Sequence, residues 1–272
     1  MKPKIELVRN SDEILDSFVK IRSLKKGLLT NFYPDFQKIQ WWIEEKQLYR
    51  IEFIHSILYV RRQVDFCSLL YISDDSEDLS LDINVFISDL KCPVVVEIIS
   101  QKEDDDILYL FKSKKFEPYA TLVRLNMKTP EFPNFNHSEN IRKAVSKDLR
   151  YLDEKLKAEF DKYSEQLPLK KELENLIQKG FVLLYEKDHD IAGFMILEIF
   201  GVTQLLRYWF VDSKYRNMKV GSTLFNAFLD GGKDTKRQIL WCRTENENAL
   251  KRYEHYGYKR ENMFDHILTI GL

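Results

Sequence analysis

Between Gln204 and Phe228 the hydrophobic period changes from two to about 3.6 across one short turn, and this constrains the fold more than any other stretch. Gln204–Val211 alternates polar and apolar residues, as a half-buried strand does, while Val220, Leu224, Phe225 and Phe228 recur at helical spacing. The turn between them, from Asp212 to Lys219, is basic. A helix that starts at such a turn exposes unpaired N–H groups and the positive end of its dipole, which suits an anion such as phosphate. Gly221 has no Cβ to obstruct a ligand, and Arg216, Lys219 and the hydroxyls of Ser222 and Thr223 add donors. An ordinary strand-to-helix connection with a solvated Arg and Lys is the competing reading.

One strand further on, Asn246, Ala249, Tyr253 and Gly257 are spaced three and four apart, so they share one face of a helix. Asn246 can cap it, Ala249 allows close packing, and Gly257 ends it through a left-handed residue. Tyr253 has no such structural duty and offers a phenol as proton donor, although a core tyrosine is the commoner outcome at that spacing.

The flanking segments fix an order. Ile141–Val145 reads as a strand, and Ser146-Lys-Asp148 opens a charged helix reaching Phe160. A helix over Leu169–Lys179 follows, then strands at Phe181–Tyr185 and Ile191–Leu197 around a polar turn. After the two segments already described come a strand at Gln238–Cys242, a helix over Asn246–Tyr256 and a closing strand at Phe264–Ile270. The first half repeats a shorter version. Helical segments up to Glu45 precede strands at Tyr49–Val60 and Phe66–Ile72. A helix near Leu81–Leu90, a strand at Val94–Ile99, a helix at Ile107–Ser113 and a strand at Tyr119–Leu125 complete it. An internal duplication is expected, with the polar, proline-containing stretch Thr129–Ser138 as linker between units 1–128 and 138–272.

Composition limits the function. With 42 basic and 43 acidic side chains the net charge is -1, so no global field draws nucleic acid or an anionic membrane. Cys67, Cys92 and Cys242 form no metal-ligand spacing and read as buried reduced thiols. These cysteines lead to the expectation of a cytoplasmic protein without metal, and, since no run approaches the ~20 apolar residues of a membrane span, of a soluble one. Oligomeric state is not legible.

Together the two segments resemble the GNAT superfamily of acyl-CoA-dependent N-acetyltransferases. Its first signature is Arg or Gln, two residues, Gly, one residue, Gly or Ala; Arg216 and Gly221 take the outer places, and Lys219 replaces the first glycine. Its second is complete at Asn246, Ala249, Tyr253, Gly257 and Tyr258. The resemblance implies an α/β (α+β) fold: a mixed, mostly antiparallel central sheet flanked by helices, in two tandem copies. It implies acetyl-CoA as co-substrate, its acetyl (or a similar acyl) group being transferred to an amine of a small molecule or peptide with release of CoA. Arg216, Asn217, Met218, Lys219, Val220, Gly221 and Ser222 would hold the pyrophosphate, and Phe210 and Val211 would pair with the pantetheine arm like an added strand. Asn246 would complete the cofactor site. The strand carrying Val211 would splay from Gln238–Cys242 to open the cleft, Glu198 would serve as base and Tyr253 as acid. A non-catalytic CoA-binding scaffold and an aminoacyl-tRNA-dependent transferase are the alternatives; the neutral charge speaks against the second. In the first half, the acidic turn Ser73–Asp78 would repel pyrophosphate. The aromatic cluster from Phe32 to Trp42 either lines an acceptor pocket or, the better reading, fills a core or a domain interface.

Overall fold

The computed structural model describes residues 4–88, 91–102, 105–129 and 138–272. In chain order the first elements are β1 (Ile5–Leu7), α1 (Asp12–Ser23), β2 (Leu29–Thr30), α2 (Phe36–Glu44), β3 (Leu48–Glu52), β4 (Ser56–Arg62), β5 (Cys67–Ser73), α3 (Ser76–Ile87), β6 (Val94–Ser100), α4 (Asp106–Ser113) and β7 (Glu117–Lys128). Then come β8 (Ile141–Lys143), α5 (Leu149–Glu159), α6 (Lys170–Gln178), β9 (Val182–Lys187), β10 (Asp190–Phe200), β11 (Thr203–Val211), α7 (Val220–Gly231), β12 (Arg237–Arg243), α8 (Glu247–His255) and β13 (Lys259–Ile270).

Two compact units emerge: Met1–Thr121 with Met263–Leu272, and Leu122–Asn262. In the first, the strand order is β1-β3-β4-β5-β6-β13; in the second it is β8-β9-β10-β11-β12-β7. The orders correspond strand for strand. Among the described residues each unit has one parallel pair, β5 with β6 and β11 with β12, in an otherwise antiparallel arrangement. The fold is therefore the mixed, mostly antiparallel sheet flanked by helices that was expected. The units nevertheless do not divide the chain at one point, as boundaries of 1–128 and 138–272 require. The last strand of each half crosses over: Phe264–Ile270 pairs with β6, and Leu122–Lys128 pairs with β12. Local pattern marks both stretches as strands, but which sheet receives them is a long-range choice. Residues 130–137 of the expected linker lie outside the described residues.

Each sheet buries apolar side chains against helices. In the second unit, Leu152 and Leu156 of α5 and Leu173, Leu176 and Ile177 of α6 pack on Phe194, Ile196, Tyr208 and Phe210. Each fully buried Leu or Phe contributes roughly 2 kcal/mol. In α7, Val220, Leu224, Phe225, Phe228 and Leu229 are buried, the stripe read from the sequence plus one residue. The long run Tyr49–Val60 is not one strand: it folds back at Phe53, whose N–H donates to Ser56 O at 2.9 Å, to make the β3–β4 hairpin. Phe32 is buried in the first unit's core against Tyr59, with ring centroids 5.1 Å apart, and Trp42 packs on the same cluster, so these two rings belong to a core, while Tyr33 and Phe36 are exposed. All three cysteines are free; Cys67 and Cys92 place their Sγ atoms 2.8 Å apart. No described helix is long and apolar enough to cross a membrane.

Candidate functional site

The second unit's site begins where β11 and β12 part. Their parallel pairing runs from Thr203–Arg237 to Leu206–Leu240 and stops, although the strands continue to Val211 and Arg243. The cause lies on the other side of β11. Tyr208 faces Ile196 and Leu206 faces Leu197, so Arg207 is an extra residue, a β-bulge that bends the strand and ends its ladder.

Arg207 is anchored deeply. Its Nη1 donates to Glu172 at 2.6 Å and to Glu198 at 2.5 Å, and its Nη2 donates to the Gln166 carbonyl at 3.0 Å. Glu198, the base expected from sequence, is thus a buried ion-pair partner that fixes the bulge. A carboxylate so held is poorly placed to receive a substrate proton. The sequence could not show this, because Arg207 and Glu198 read as a polar position on one strand and the end of another.

Beyond β11 a single helical turn at Ser213–Tyr215 leads into Arg216–Lys219 and then α7. Asn217 and Lys219 both have positive φ, 65° and 62°. Such residues in a tight turn point successive N–H groups into one concavity, an anion-binding nest. Lys219 does this without being glycine, at a cost of about 1 kcal/mol. The first intrahelical bond of α7 is Thr223 N–H to Lys219 O at 2.9 Å, and no side chain caps the helix. Two expectations are corrected here. The Ser222 and Thr223 hydroxyls donate back to the Lys219 carbonyl, at 2.9 and 2.8 Å, rather than outward. At Gly221 a Cβ would meet the Trp209 ring at 3.3 Å and Val211 at 3.5 Å, so this glycine seats α7 against β11 rather than clearing a path for ligand. Val211 and Phe210 lie on β11 past the bulge; Phe210's ring is buried against Phe194 at 5.2 Å, leaving only its backbone to a ligand.

On α8, Asn246 accepts from Ala249 N–H at 3.1 Å, a helix cap, and Gly257 with φ 96° ends the helix, both as expected. Its Oδ1 is committed to that cap. Tyr258 is buried and its hydroxyl donates to Gln238 Oε1 at 3.2 Å. Tyr253 differs. Its ring packs 5.8 Å from Trp209 and 6.0 Å from Tyr258, and among the described residues none hydrogen-bonds its hydroxyl. Burial pushes the phenol above its ordinary 10, and the neighbouring Cys242 and Glu165 push the same way. Tyr253 therefore stays protonated and can donate a hydrogen bond. Tyr256, stacked on Phe225 at 4.0 Å, and Arg252, over Trp209 at 5.8 Å, complete the wall; neither was singled out in the sequence.

Sequence reading also missed the loop 160–169 between α5 and α6, which has no periodicity to betray it. Asp161 accepts from Tyr163 and Ser164 N–H groups at 3.0 and 2.9 Å. Tyr208 donates to the Glu165 and Gln166 carbonyls at 2.8 and 2.9 Å, while Arg243 donates to Ser164 Oγ at 2.7 Å. Arg207 and Tyr208 from β11 and Arg243 from β12 thus hold this loop across the parting strands.

The first unit treats the equivalent place differently. Its β5–β6 pairing also stops early, at Leu69–Val96. There β2 pairs with Ser73 and Ile72, and Asn31 donates to the carbonyls of Leu69 and Glu97, both at 3.0 Å, while accepting from Tyr71 N–H at 2.8 Å. The chain fills its own cleft. At the start of α3 the Asp75 carboxylate accepts from Glu77 and Asp78 N–H, occupying the donors an anion would need. This agrees with the repulsive acidic turn read from the sequence. Beside it, His55, Asp74 and Asp78 bring ligand-type atoms within 4.8 Å of one another, with Lys26 3.5 Å from Asp78.

Residues 148–258 match the Acetyltransferase (GNAT) family. No curated protein matches the chain in sequence. Among solved structures, a GCN5-related N-acetyltransferase from Sphaerobacter thermophilus is similar over 99% of this chain and 95% of its own, with TM-score 0.62 at 12% identity. A tandem GNAT protein from the clavulanic acid biosynthesis pathway is similar over 98% of both chains, with TM-score 0.62 at 8% identity. A GNAT-family acetyltransferase from Colwellia psychrerythraea is similar over 98% of both, with TM-score 0.57 at 12% identity. At these identities the likeness is one of fold. Residues 148–258 thus match the GNAT acetyltransferase family, and over nearly its whole length the chain has a fold similar to that of GNAT proteins, a tandem GNAT protein among them.

Proposed function

We propose that the second unit transfers an acetyl or similar acyl group from acyl-CoA to an amine of a small molecule or peptide. The observation that carries this reading is the direct succession of the parted β11–β12 edge and the Asn217–Lys219 nest. A pantetheine arm can pair with the Phe210–Val211 backbone as an extra strand, while its pyrophosphate meets the N–H groups of Met218, Lys219, Val220, Gly221 and Ser222. Arg216 and the Lys219 ammonium add positive charge. A backbone N–H near Val211 stabilises the oxygen of the thioester carbonyl as it becomes negative.

The acceptor amine must lose a proton before it attacks, since its free pKa is near ~10. Attack forms the C–N bond and releases sulfur as thiolate, a fair leaving group because a thiol has pKa about 8.5. A phenol pushed above 10 is a weaker acid than that thiol. Tyr253 therefore stabilises the departing sulfur by a hydrogen bond more than by outright proton transfer.

Thermal unfolding with acetyl-CoA tests the cofactor half of the reading. Ligand at 100 times its Kd stabilises by about 2.7 kcal/mol, a readily measured shift. No shift at millimolar acetyl-CoA overturns the proposal. Thiol release with a panel of amines then separates an enzyme from a scaffold that only binds CoA.

A further inference from the structure

The acyl transfer proposed above needs a base, and the carboxylate expected for it, Glu198, is locked to Arg207. The α5–α6 loop supplies another. Glu165 stands at its crest, next to Gln166 with its φ of 46°. Its N–H donates to Asp161 O at 2.9 Å and its carbonyl accepts from Tyr208 at 2.8 Å. Arg243 holds the preceding residue, Ser164, from the β12 side. The backbone of Glu165 is therefore fixed over the point where β11 and β12 part, by one strand directly and by the other through its neighbour. Its side chain is half-buried, and its carboxylate makes no hydrogen bond or ion pair with a described residue. Charged and titratable groups within electrostatic reach are Arg243 and Cys242 on β12, Tyr208 on β11, Tyr253 on α8 and Asp161 in the loop itself.

We infer that Glu165 is the group that receives the acceptor's ammonium and takes its proton. Rigid placement, desolvation and an unpaired carboxylate in the same space as the Tyr253 phenol are what such a base requires. Burial raises its carboxyl above the ordinary value; Arg243 works against this and Asp161 adds to it. A raised carboxyl is a stronger base than a solvated one. The protons balance as follows. The ammonium R–NH3+ gives one proton to the Glu165 carboxylate, and the freed lone pair attacks the thioester carbon. The C–N bond forms and the C–S bond breaks, with its electron pair going to sulfur. The second proton leaves nitrogen for the thiolate, giving neutral amide and free thiol, and Glu165 returns the first proton to water.

The test is the pH dependence of acetyl transfer by the full chain and by Glu165→Gln, using acetyl-CoA and the best acceptor from polyamines, amino acids and short peptides. Glu165→Gln is expected to lose 10²–10³-fold in kcat/KM at pH 7, with an unchanged thermal shift by acetyl-CoA. The loss should shrink about tenfold per pH unit toward pH 10, where the amine deprotonates unaided. Glu165→Asp should recover part of the activity. A residue that merely props the loop lowers rates equally at every pH. Equal rates for wild type and Glu165→Gln, or a loss independent of pH, overturn the assignment to Glu165 alone. Wild type that binds acetyl-CoA yet transfers to no amine overturns acyl transfer itself, and Glu165 with it.

Discussion

Arg207 and Glu198 meet at 2.5 Å in a buried ion pair, and the same guanidinium nitrogen donates to Glu172 at 2.6 Å. The pair holds a β-bulge at Arg207, the first residue beyond the last β11–β12 pair. Structural charge and cleft geometry are therefore coupled in one side chain. Arg207→Met strands two buried carboxylates and is expected to cost 3–5 kcal/mol, while Glu198→Gln keeps the Glu172 contact and costs about 1–2 kcal/mol. Denaturant unfolding of both variants checks this; a pH-dependent rate defect in Glu198→Gln at unchanged stability would restore Glu198 as a base.

The two tyrosines of α8's end should separate cleanly. Tyr253→Phe removes a hydroxyl with no described partner, so stability should hold within about 0.5 kcal/mol while turnover falls about tenfold. Tyr258→Phe removes the buried bond to Gln238 and should lower stability by about 1 kcal/mol. Thermal melts alongside a thiol-release assay distinguish the two.

Lys219 sits at φ 62° in the nest. Lys219→Gly relieves that conformation and should raise stability by up to about 1 kcal/mol, weakening acetyl-CoA binding only a few-fold through loss of the ammonium. Lys219→Val, β-branched at positive φ, should lose about 1–3 kcal/mol. Calorimetric titration with acetyl-CoA gives both quantities when paired with unfolding curves.

Gly193 on β10 allows the sheet and α7 to touch. A Cβ there would lie 2.7 Å from the Phe210 carbonyl oxygen and 3.2 Å from Val220 and Leu224 side chains. Gly193→Ala should cost about 2–3 kcal/mol and weaken acetyl-CoA binding, because the nest moves with α7. Unchanged affinity would show that the turn is positioned from elsewhere.

Asp148 sets the acid limb of stability. Arg142 donates to both its oxygens, at 2.7 and 2.9 Å, and with the Val145 N–H holds the carboxyl below its usual value, against the opposing effect of burial. A depressed carboxyl stabilises the fold above its unfolded pKa of about 3.9, and that stability is lost as pH falls through the lower folded value. Asp148→Asn should flatten the acid dependence of unfolding below pH ~4 and lower stability at pH 7; an unaltered profile would assign the acid limb to other carboxyls.

Much of this site was legible beforehand. Alternation over Gln204–Val211, the stripe Val220, Leu224, Phe225 and Phe228, and the shared face of Asn246, Ala249, Tyr253 and Gly257 are local patterns, set by side chains within two turns of one another. They carried the element order and the position of the turn. What escaped was long-range. Glu198 became structural because Arg207, nine residues on, was turned inward at a bulge. Gly221 serves the packing of α7 against Trp209, a contact no spacing announces. Glu165 reaches the Tyr253 neighbourhood across almost ninety residues of chain, from a loop without periodicity. The sequence by itself determined which segments are strands and helices and which helix start invites an anion, because caps, period and turn conformation are short-range. Only tertiary structure decided which sheet each closing strand joined, which carboxylate was neutralised and which was left to act, because those outcomes depend on partners that meet only after the chain has folded.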